Sequence, residues 1–118
     1  MKEELLGKYF TGYCMFLAVA LNDTFGWEIR ANVDSDDDGS WIDHAWVVNK
    51  CGLAVDIDGV HSSDDPTEFN SELKYNLTKG CIREIMRMSN DEFNTHLRDA
   101  MGVVENYRNH FMGPAKIK

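Results

Sequence analysis

The sequence predicts an α+β fold: a buried N-terminal helix packed on a small antiparallel sheet, with a long C-terminal amphipathic helix. Three observations predict it: an apolar run that begins at residue 14, aromatic and β-branched segments after that run, and a capped amphipathic segment near the end of the chain. Helical and strand patterns do not alternate, which argues against repeated βαβ units. With 118 residues, the chain has the usual size of a single domain, predicted to span residues 1–118.

The first predicted element is a helix over residues 14–25, with the sequence CMFLAVALNDTF. Its residues are apolar nearly all round, and a helix of this kind is buried in a core. Gly26 follows directly, and glycine readily takes the left-handed conformation that ends a helix.

Three strands are predicted next, as an antiparallel meander. Residues 27–33 and 41–49 are rich in aromatic and β-branched side chains, and the acidic loop DSDDDGS separates them. A third strand, 53–57, follows the short turn at residues 50–52.

The second half of the chain predicts a short helix, a strand and a long helix. Pro66 suits the first turn of a helix that runs to residue 75. Residues 81–86 fit either a strand or a helix, and we favour a strand. Ser89 and Glu92 form a capping box before a long amphipathic helix that ends at Gly113-Pro114. Its apolar face consists of Phe93, Leu97, Met101, Val104 and Phe111.

Charge and hydropathy limit the expected partners. The formal net charge is -8, so the chain lacks the basic surface that general nucleic-acid binding requires. No apolar run approaches the roughly 20 residues of a membrane span. The N-terminal segment carries Glu3 and Glu4 where a secretory signal carries basic residues. We therefore expect a cytoplasmic protein that has free thiols and binds neither nucleic acid nor membranes.

Cys14 stands at the start of the buried helix. A thiol is a nucleophile as thiolate, and a helix N-terminus or a neighbouring imidazolium favours that form. Gly12 allows a substrate to approach the main chain closely, and the N–H groups of the first helical turn are donors suited to an oxyanion. One helix end could thus provide both a nucleophile and an oxyanion hole.

His44 opens a hydrophobic strand, and Asp56 and Asp58 lie on the next one. If residues 50–52 form a three-residue hairpin loop, Trp46 faces Asp56 and His44 faces Asp58, and these side chains share one face. Asp56 is then diagonal to His44, about 7 to 8 Å away between backbones and within reach of its ring. Either aspartate could orient the imidazole.

These residues resemble the papain-like and transglutaminase-like cysteine hydrolase superfamily. The resemblance covers residues 11–59 and rests on Gly12-x-Cys14 at the start of a buried helix, on the His44-Ala45-Trp46-Val47 strand and on a strand with Asp56. It implies that Cys14 is the nucleophile, His44 the general base and acid, and Asp56 the orienting acid.

Two metal sites are alternatives to a site without cofactor. Cys14, His44 and Asp56 are all acceptable zinc ligands, although closely spaced Cys or His pairs are missing. Asp34, Asp36 and Asp38 match the first half of a calcium loop and predict at most a weak calcium site, because no glutamate stands at its twelfth position.

Two functions follow from this pattern. The first is a thiol-dependent hydrolase or acyltransferase that acts on an amide or peptide-like bond and therefore takes a peptide or protein substrate. The acidic loops favour a basic or neutral substrate. The alternative is a non-catalytic acidic binding or inhibitor protein, such as a phage or bacterial accessory factor, with the same scaffold and a basic protein partner.

Overall fold

The structure is a computed structural model that describes residues 2–10, 12–66 and 71–113. In these ranges the α+β class is confirmed. The helices are α1 (Glu3–Phe10), α2 (Cys14–Phe25), α3 (Lys79–Met86), α4 (Asn90–Asn106) and α5 (Arg108–Met112). The strands are β1 (Glu28–Asp36), β2 (Gly39–Val48), β3 (Ala54–Asp56), β4 (Gly59–Val60) and β5 (Glu72–Leu77). They form one antiparallel sheet in the order β4-β3-β2-β1-β5.

Helix α2 lies in the core, as its apolar sequence predicts. All its residues from Cys14 to Leu21 are buried, and it packs against both β2 and α4. The ring of Phe16 lies 5.2 Å from that of Phe93 on α4. Gly26 ends the helix with φ 76°, a left-handed conformation that favours glycine.

The acidic segment between β1 and β2 is shorter than predicted. The two strands continue through most of it, with Asp34 opposite Trp41 and Asp36 opposite Gly39, so only residues 37 and 38 form the turn. Polar side chains are tolerated here because this end of the hairpin is largely exposed. The prediction of a seven-residue loop was therefore wrong.

The strands that follow have the register on which the predicted site depends. Val47 pairs with Val55, and the main-chain N–H of Asn49 donates to Leu53 O at 2.9 Å. Residues 50–52 therefore form a three-residue loop. A further hairpin joins β3 to β4, with Asp56 opposite Gly59.

The second half departs from the sequence prediction in two places. Residues Glu72–Leu77 form edge strand β5 and not a helix; residues 67–70 of the predicted helix lie outside the described residues. Residues 81–86 belong to helix α3 and not to a strand. The Thr78 side chain accepts from the N–H of Cys81 and caps this helix. Ile82 is the buried residue of α3. The helix is therefore amphipathic, and few apolar residues are enough to form its buried face.

The C-terminal helix is confirmed but is interrupted. The Ser89 side chain accepts from the N–H of Glu92 at 3.2 Å, as in a capping box. Helix α4 ends at Asn106, Tyr107 leaves helical geometry, and α5 continues the path to Met112. The predicted end at Pro114 lies outside the described residues. Among the helices described, none has the length and apolarity to cross a bilayer.

Candidate active site

Cys14 is the first residue of α2. The preceding residue, Tyr13, has non-helical geometry, and no side chain caps the helix. Gly12 is exposed just before it. The Cys14 side chain itself is buried, with 2% of its residue surface exposed. The helix end therefore has the main-chain donors that the sequence predicts, while the sulfur is covered in this state.

Nε2 of His44 lies 3.0 Å from Oδ2 of Asp56. The Cys14 thiol is close enough to the same ring to raise its pKa. Because Nε2 faces the carboxylate, Nδ1 is the ring nitrogen left for the sulfur. The structure thus brings together Cys14, His44 and Asp56, for which the sequence predicts the roles of nucleophile, base and orienting acid.

A β-bulge precedes His44 on β2. Asn32 of β1 lies opposite His44, while the next residue, Val33, lies opposite Ile42. Asp43 is therefore the extra residue. A bulge of this kind re-aims the side chains beside it, and it occurs here next to the imidazole of the candidate site.

The charges of the site stabilise one another. Burial lowers the pKa of His44, but the hydrogen bond with Asp56, the nearby Cys14 and the charge of Asp56 outweigh this effect and raise the pKa to about 9. Burial acts in the opposite direction on Asp56, yet hydrogen bonds from His44 and His61 hold the pKa of this carboxyl well below its usual range. An imidazolium beside a carboxylate is the resulting state at neutral pH.

Asp58 plays a different part from the one considered in the sequence. It lies in the turn between β3 and β4, and its main-chain N–H donates to Oδ1 of Asp56 at 2.9 Å. Asp56 is the carboxylate that contacts the His44 ring. The turn at Asp58 thus helps to orient Asp56.

His61 is a residue of the site that the sequence analysis missed. Its Nε2 lies 2.7 Å from Oδ1 of Asp56, and its side chain is 18% exposed. The signal that could have found it is the dipeptide Asp58-Gly59, which is typical of a tight hairpin turn. Such a turn returns the chain beside Asp56, and Gly59 has the positive φ of 101° that the turn requires.

Aromatic rings border the imidazole. The ring of Phe10, which is half-exposed on α1, lies 5.7 Å from that of His44, and the ring of Trp46 stacks at 6.0 Å. Helix α1 has no counterpart among the predicted elements, so the position of Phe10 was not foreseen. These apolar neighbours limit water around the ring and strengthen its interaction with Asp56.

A cleft of about 440 Å³ opens beside the start of α2. Gly12 and Met15, which flank Cys14 in sequence, form part of its wall. The β1–β2 hairpin and the end of α3 form the rest, with Asp36, Trp41 and Arg87 among the lining residues. Cys14 does not line the cleft, in agreement with its burial.

The calcium loop predicted from Asp34, Asp36 and Asp38 has the geometry of a hairpin end. Asp34 and Asp36 are strand residues, and one oxygen of each accepts a nearby main-chain N–H. Across residues 2–10, 12–66 and 71–113, no group of three or more His, Cys, Asp or Glu side chains is arranged to hold a metal ion, at this hairpin or around Cys14.

Comparisons with known proteins assign this arrangement to no family. No family model matches the chain, and neither the search of curated proteins nor the search of solved structures finds a significant match.

Proposed function

We propose that this chain is a thiol-dependent hydrolase or acyltransferase that acts on an amide or peptide-like bond. One observation carries the proposal: Nε2 of His44 lies 3.0 Å from the buried carboxylate of Asp56, and the thiol of Cys14 is close enough to the same ring to raise its pKa. A nucleophile, a base and an orienting acid in contact are the signature of covalent acyl transfer. The resemblance of residues 11–59 to papain-like and transglutaminase-like hydrolases supports the same assignment.

The reaction begins with the thiol proton on His44. The sulfur of Cys14 attacks the carbonyl carbon, a C–S bond forms, and the π electrons of the carbonyl move to its oxygen. Main-chain N–H groups in the first turn of α2 are suited to donate to this oxyanion. When the C–N bond breaks, His44 gives its proton to the leaving amine, and a thioester remains on Cys14.

The second half of the reaction restores the thiol. Water attacks the thioester in hydrolysis, or a second amine attacks it in acyl transfer, and His44 takes the proton of the attacking group. The C–S bond then breaks, and the proton passes back to sulfur. Throughout, Asp56 holds the ring in place and stabilises the imidazolium, which is the role of the acid in such a triad.

Turnover requires the covered sulfur to open to solvent, because only 2% of Cys14 is exposed. The cleft beside Gly12 and Met15 offers an entrance at the start of this helix. Its wall includes the acidic residues Asp36 and Asp38, and the whole chain is acidic. These charges favour a peptide or protein substrate that is basic or neutral.

The burial of Cys14 favours a second candidate, a non-catalytic acidic binding protein on the same scaffold. Free cysteine behaves as a small hydrophobe in cores, and an acidic surface of this kind would engage a basic protein partner. In either case we place the chain in a reducing cytoplasm, where its three cysteines stay free.

Trapping of the acyl-enzyme tests the proposal. Because Cys51 and Cys81 are exposed and would react with any probe, the experiment uses the Cys51→Ser/Cys81→Ser protein. After addition of p-nitrophenyl acetate, intact mass spectrometry is expected to show one acetyl group on Cys14 that is lost with time. His44→Ala should abolish this adduct. His96→Ala is the matched control, since the His96 ring packs on Tyr13 and Phe16 at the same helix end.

The two candidates predict different outcomes. A transient acetyl group that depends on His44 but not on His96 supports the hydrolase. A Cys14 that stays unmodified until denaturant unfolds the chain overturns it and leaves the binding protein.

A further inference from the structure

The buried carboxylate of Asp56 has donors on both of its oxygens. Oδ2 faces Nε2 of His44 at 3.0 Å, while Oδ1 faces Nε2 of His61 at 2.7 Å and the N–H of Asp58 at 2.9 Å. Asp56 is 3% exposed. An ionised carboxylate so deeply buried requires such donors, because burial alone disfavours its charge.

The β3–β4 hairpin determines where His61 lies. Gly59 pairs with Asp56, and two residues later the N–H of His61 donates to Ala54 O at 2.8 Å. The main chain of His61 is thus tied to the strand that carries Asp56. The ring of His61 is partly exposed, so it lies between the buried Asp56 carboxylate and solvent.

We propose that His61 is a positioning residue that acts through Asp56. It holds Oδ1 so that Oδ2 faces His44, and it keeps the acid ionised. Whenever the His44 ring is neutral, after it has given up a proton, the ring then keeps its hydrogen on Nε2 and turns Nδ1 toward Cys14. A partner that fixes an acid in this way governs the orientation of the base without touching the substrate. This inference rests on the proposed function, because it assigns His61 to the same thiol site.

Titratable groups on the elements around the carboxylate are controlled separately. His44 of β2 contacts Asp56 directly, Cys14 of α2 lies near the His44 ring, and Asp58 lies in the adjoining turn. His110 of α5 reaches the same hairpin, where its Nε2 donates to Ile57 O at 2.7 Å. His110→Gln therefore serves as the matched control, since an amide can donate to the same carbonyl without titrating.

The test uses two variants of His61 in the Cys51→Ser/Cys81→Ser chain. His61→Leu removes the donor, and His61→Gln retains it because the glutamine amide can occupy the position of ring Nε2. NMR follows two signals against pH: the carboxyl carbon of Asp56, assigned with Asp56→Asn, and the ring nitrogens of His44. Above the ring's pKa of about 9 the nitrogens report the tautomer. Iodoacetamide labelling of Cys14 is measured in parallel.

In His61→Leu we expect the titration of Asp56 to move to higher pH, the His44 tautomers to mix, and labelling of Cys14 at pH 7 to slow several-fold. His61→Gln should restore the His44 tautomer and the labelling rate, and His110→Gln should match the unmodified protein. Unchanged Asp56 titration and His44 tautomer in His61→Leu would overturn the inference, even if Cys14 is reactive.

Failure of the proposed function has a different signature. In that case Cys14 is inert in every variant while the Asp56 and His44 signals shift as expected. That result supports the positioning role of His61 and contradicts the proposed hydrolase activity. Should His61→Leu not fold, His61→Gln carries the test alone. It removes the charge of His61 and retains its donor, so the Asp56 titration should rise while the His44 tautomer is kept; no rise contradicts the inference.

Discussion

Nε2 of His44 lies 3.0 Å from Oδ2 of Asp56 across the β2–β3 strand pair, and neither side chain is more than 4% exposed. Two opposite charges removed from water attract each other more strongly than the same pair at a surface, and removing one of them leaves the other buried without its partner. The consequence of the contact is a protonated ring at neutral pH, held beside the thiol of Cys14. The proposed chemistry depends on this contact.

Replacement of Asp56 by asparagine should lower the pKa of His44 from about 9, because the ring loses its opposite charge while the shape of its partner is kept. A histidine that is neutral at pH 7 no longer supports a thiolate. Iodoacetamide labelling of Cys14 at pH 7 should then slow by about tenfold or more, a change that corresponds to ~1.4 kcal/mol. NMR titration of His44 and timed mass spectrometry measure the two effects.

Asp58→Asn is the control, since Asp58 offers its main-chain N–H to Asp56 and asparagine retains that group. It should change the labelling rate by less than about twofold, within the range of a weak charge effect. Equal slowing in the two variants would show that the net charge, and not the contact with His44, governs the thiol.

Cys14→Ala should leave the fold nearly intact and remove every covalent adduct that forms at this site. Alanine fits a helix start and loses only one buried sulfur, so the free energy of unfolding should fall by about 1 kcal/mol. Urea unfolding measures the change, with Cys81→Ala as the exposed control on α3. A loss of several kcal/mol at Cys14 would indicate a core residue and not a nucleophile.

Asp56 should make the protein sensitive to acid. Its folded pKa lies below its ordinary value of 3.8, so its stabilising contribution is complete above that value and is lost as pH falls below it. Each pH unit of that fall removes up to about 1.4 kcal/mol. Urea unfolding between pH 4 and pH 2 should show a steep loss in the unmodified protein and a shallower one in Asp56→Asn. Parallel curves would mean that the carboxyl is not held ionised.

Calcium should not stabilise the β1–β2 hairpin. Oxygens of Asp34 and Asp36 already accept main-chain hydrogen bonds, and strand pairing spreads the acidic residues along two chains. Thermal unfolding in millimolar calcium should therefore match that in a chelator. A saturable rise of the unfolding temperature with calcium that disappears in Asp36→Asn would support the calcium site and contradict this prediction.

Helix α2 and the pairing of β2 with β3 could be predicted because their patterns are local. The apolar run of α2 ends at a glycine, and the short turn at residues 50–52 sets the register that places Asp56 near His44. Residues that face each other across one hairpin can be found by counting along the chain. The proximity of Cys14 to His44 links separate elements, and only the resemblance suggested it.

The rest depended on tertiary structure. Helix α3 has a single buried residue, Ile82, so its short pattern fits a strand equally well, and β5 becomes a strand because it pairs with β1. His61 was missed because β4 has only two residues, too few for a strand pattern. The burial of Cys14 also lies beyond any pattern, since a nucleophile and a core cysteine look alike in sequence.

The most direct test is the rate at which iodoacetamide labels Cys14 between pH 5 and pH 9, in the Cys51→Ser/Cys81→Ser chain with and without His44→Ala. We predict rapid labelling at pH 6 to 7 that slows by about tenfold or more without the imidazole, because the variant loses the imidazolium that stabilises the thiolate in this range. A Cys14 that reacts at the same rate with and without His44 at every pH would contradict the account, as would a sulfur that reacts only in unfolded protein.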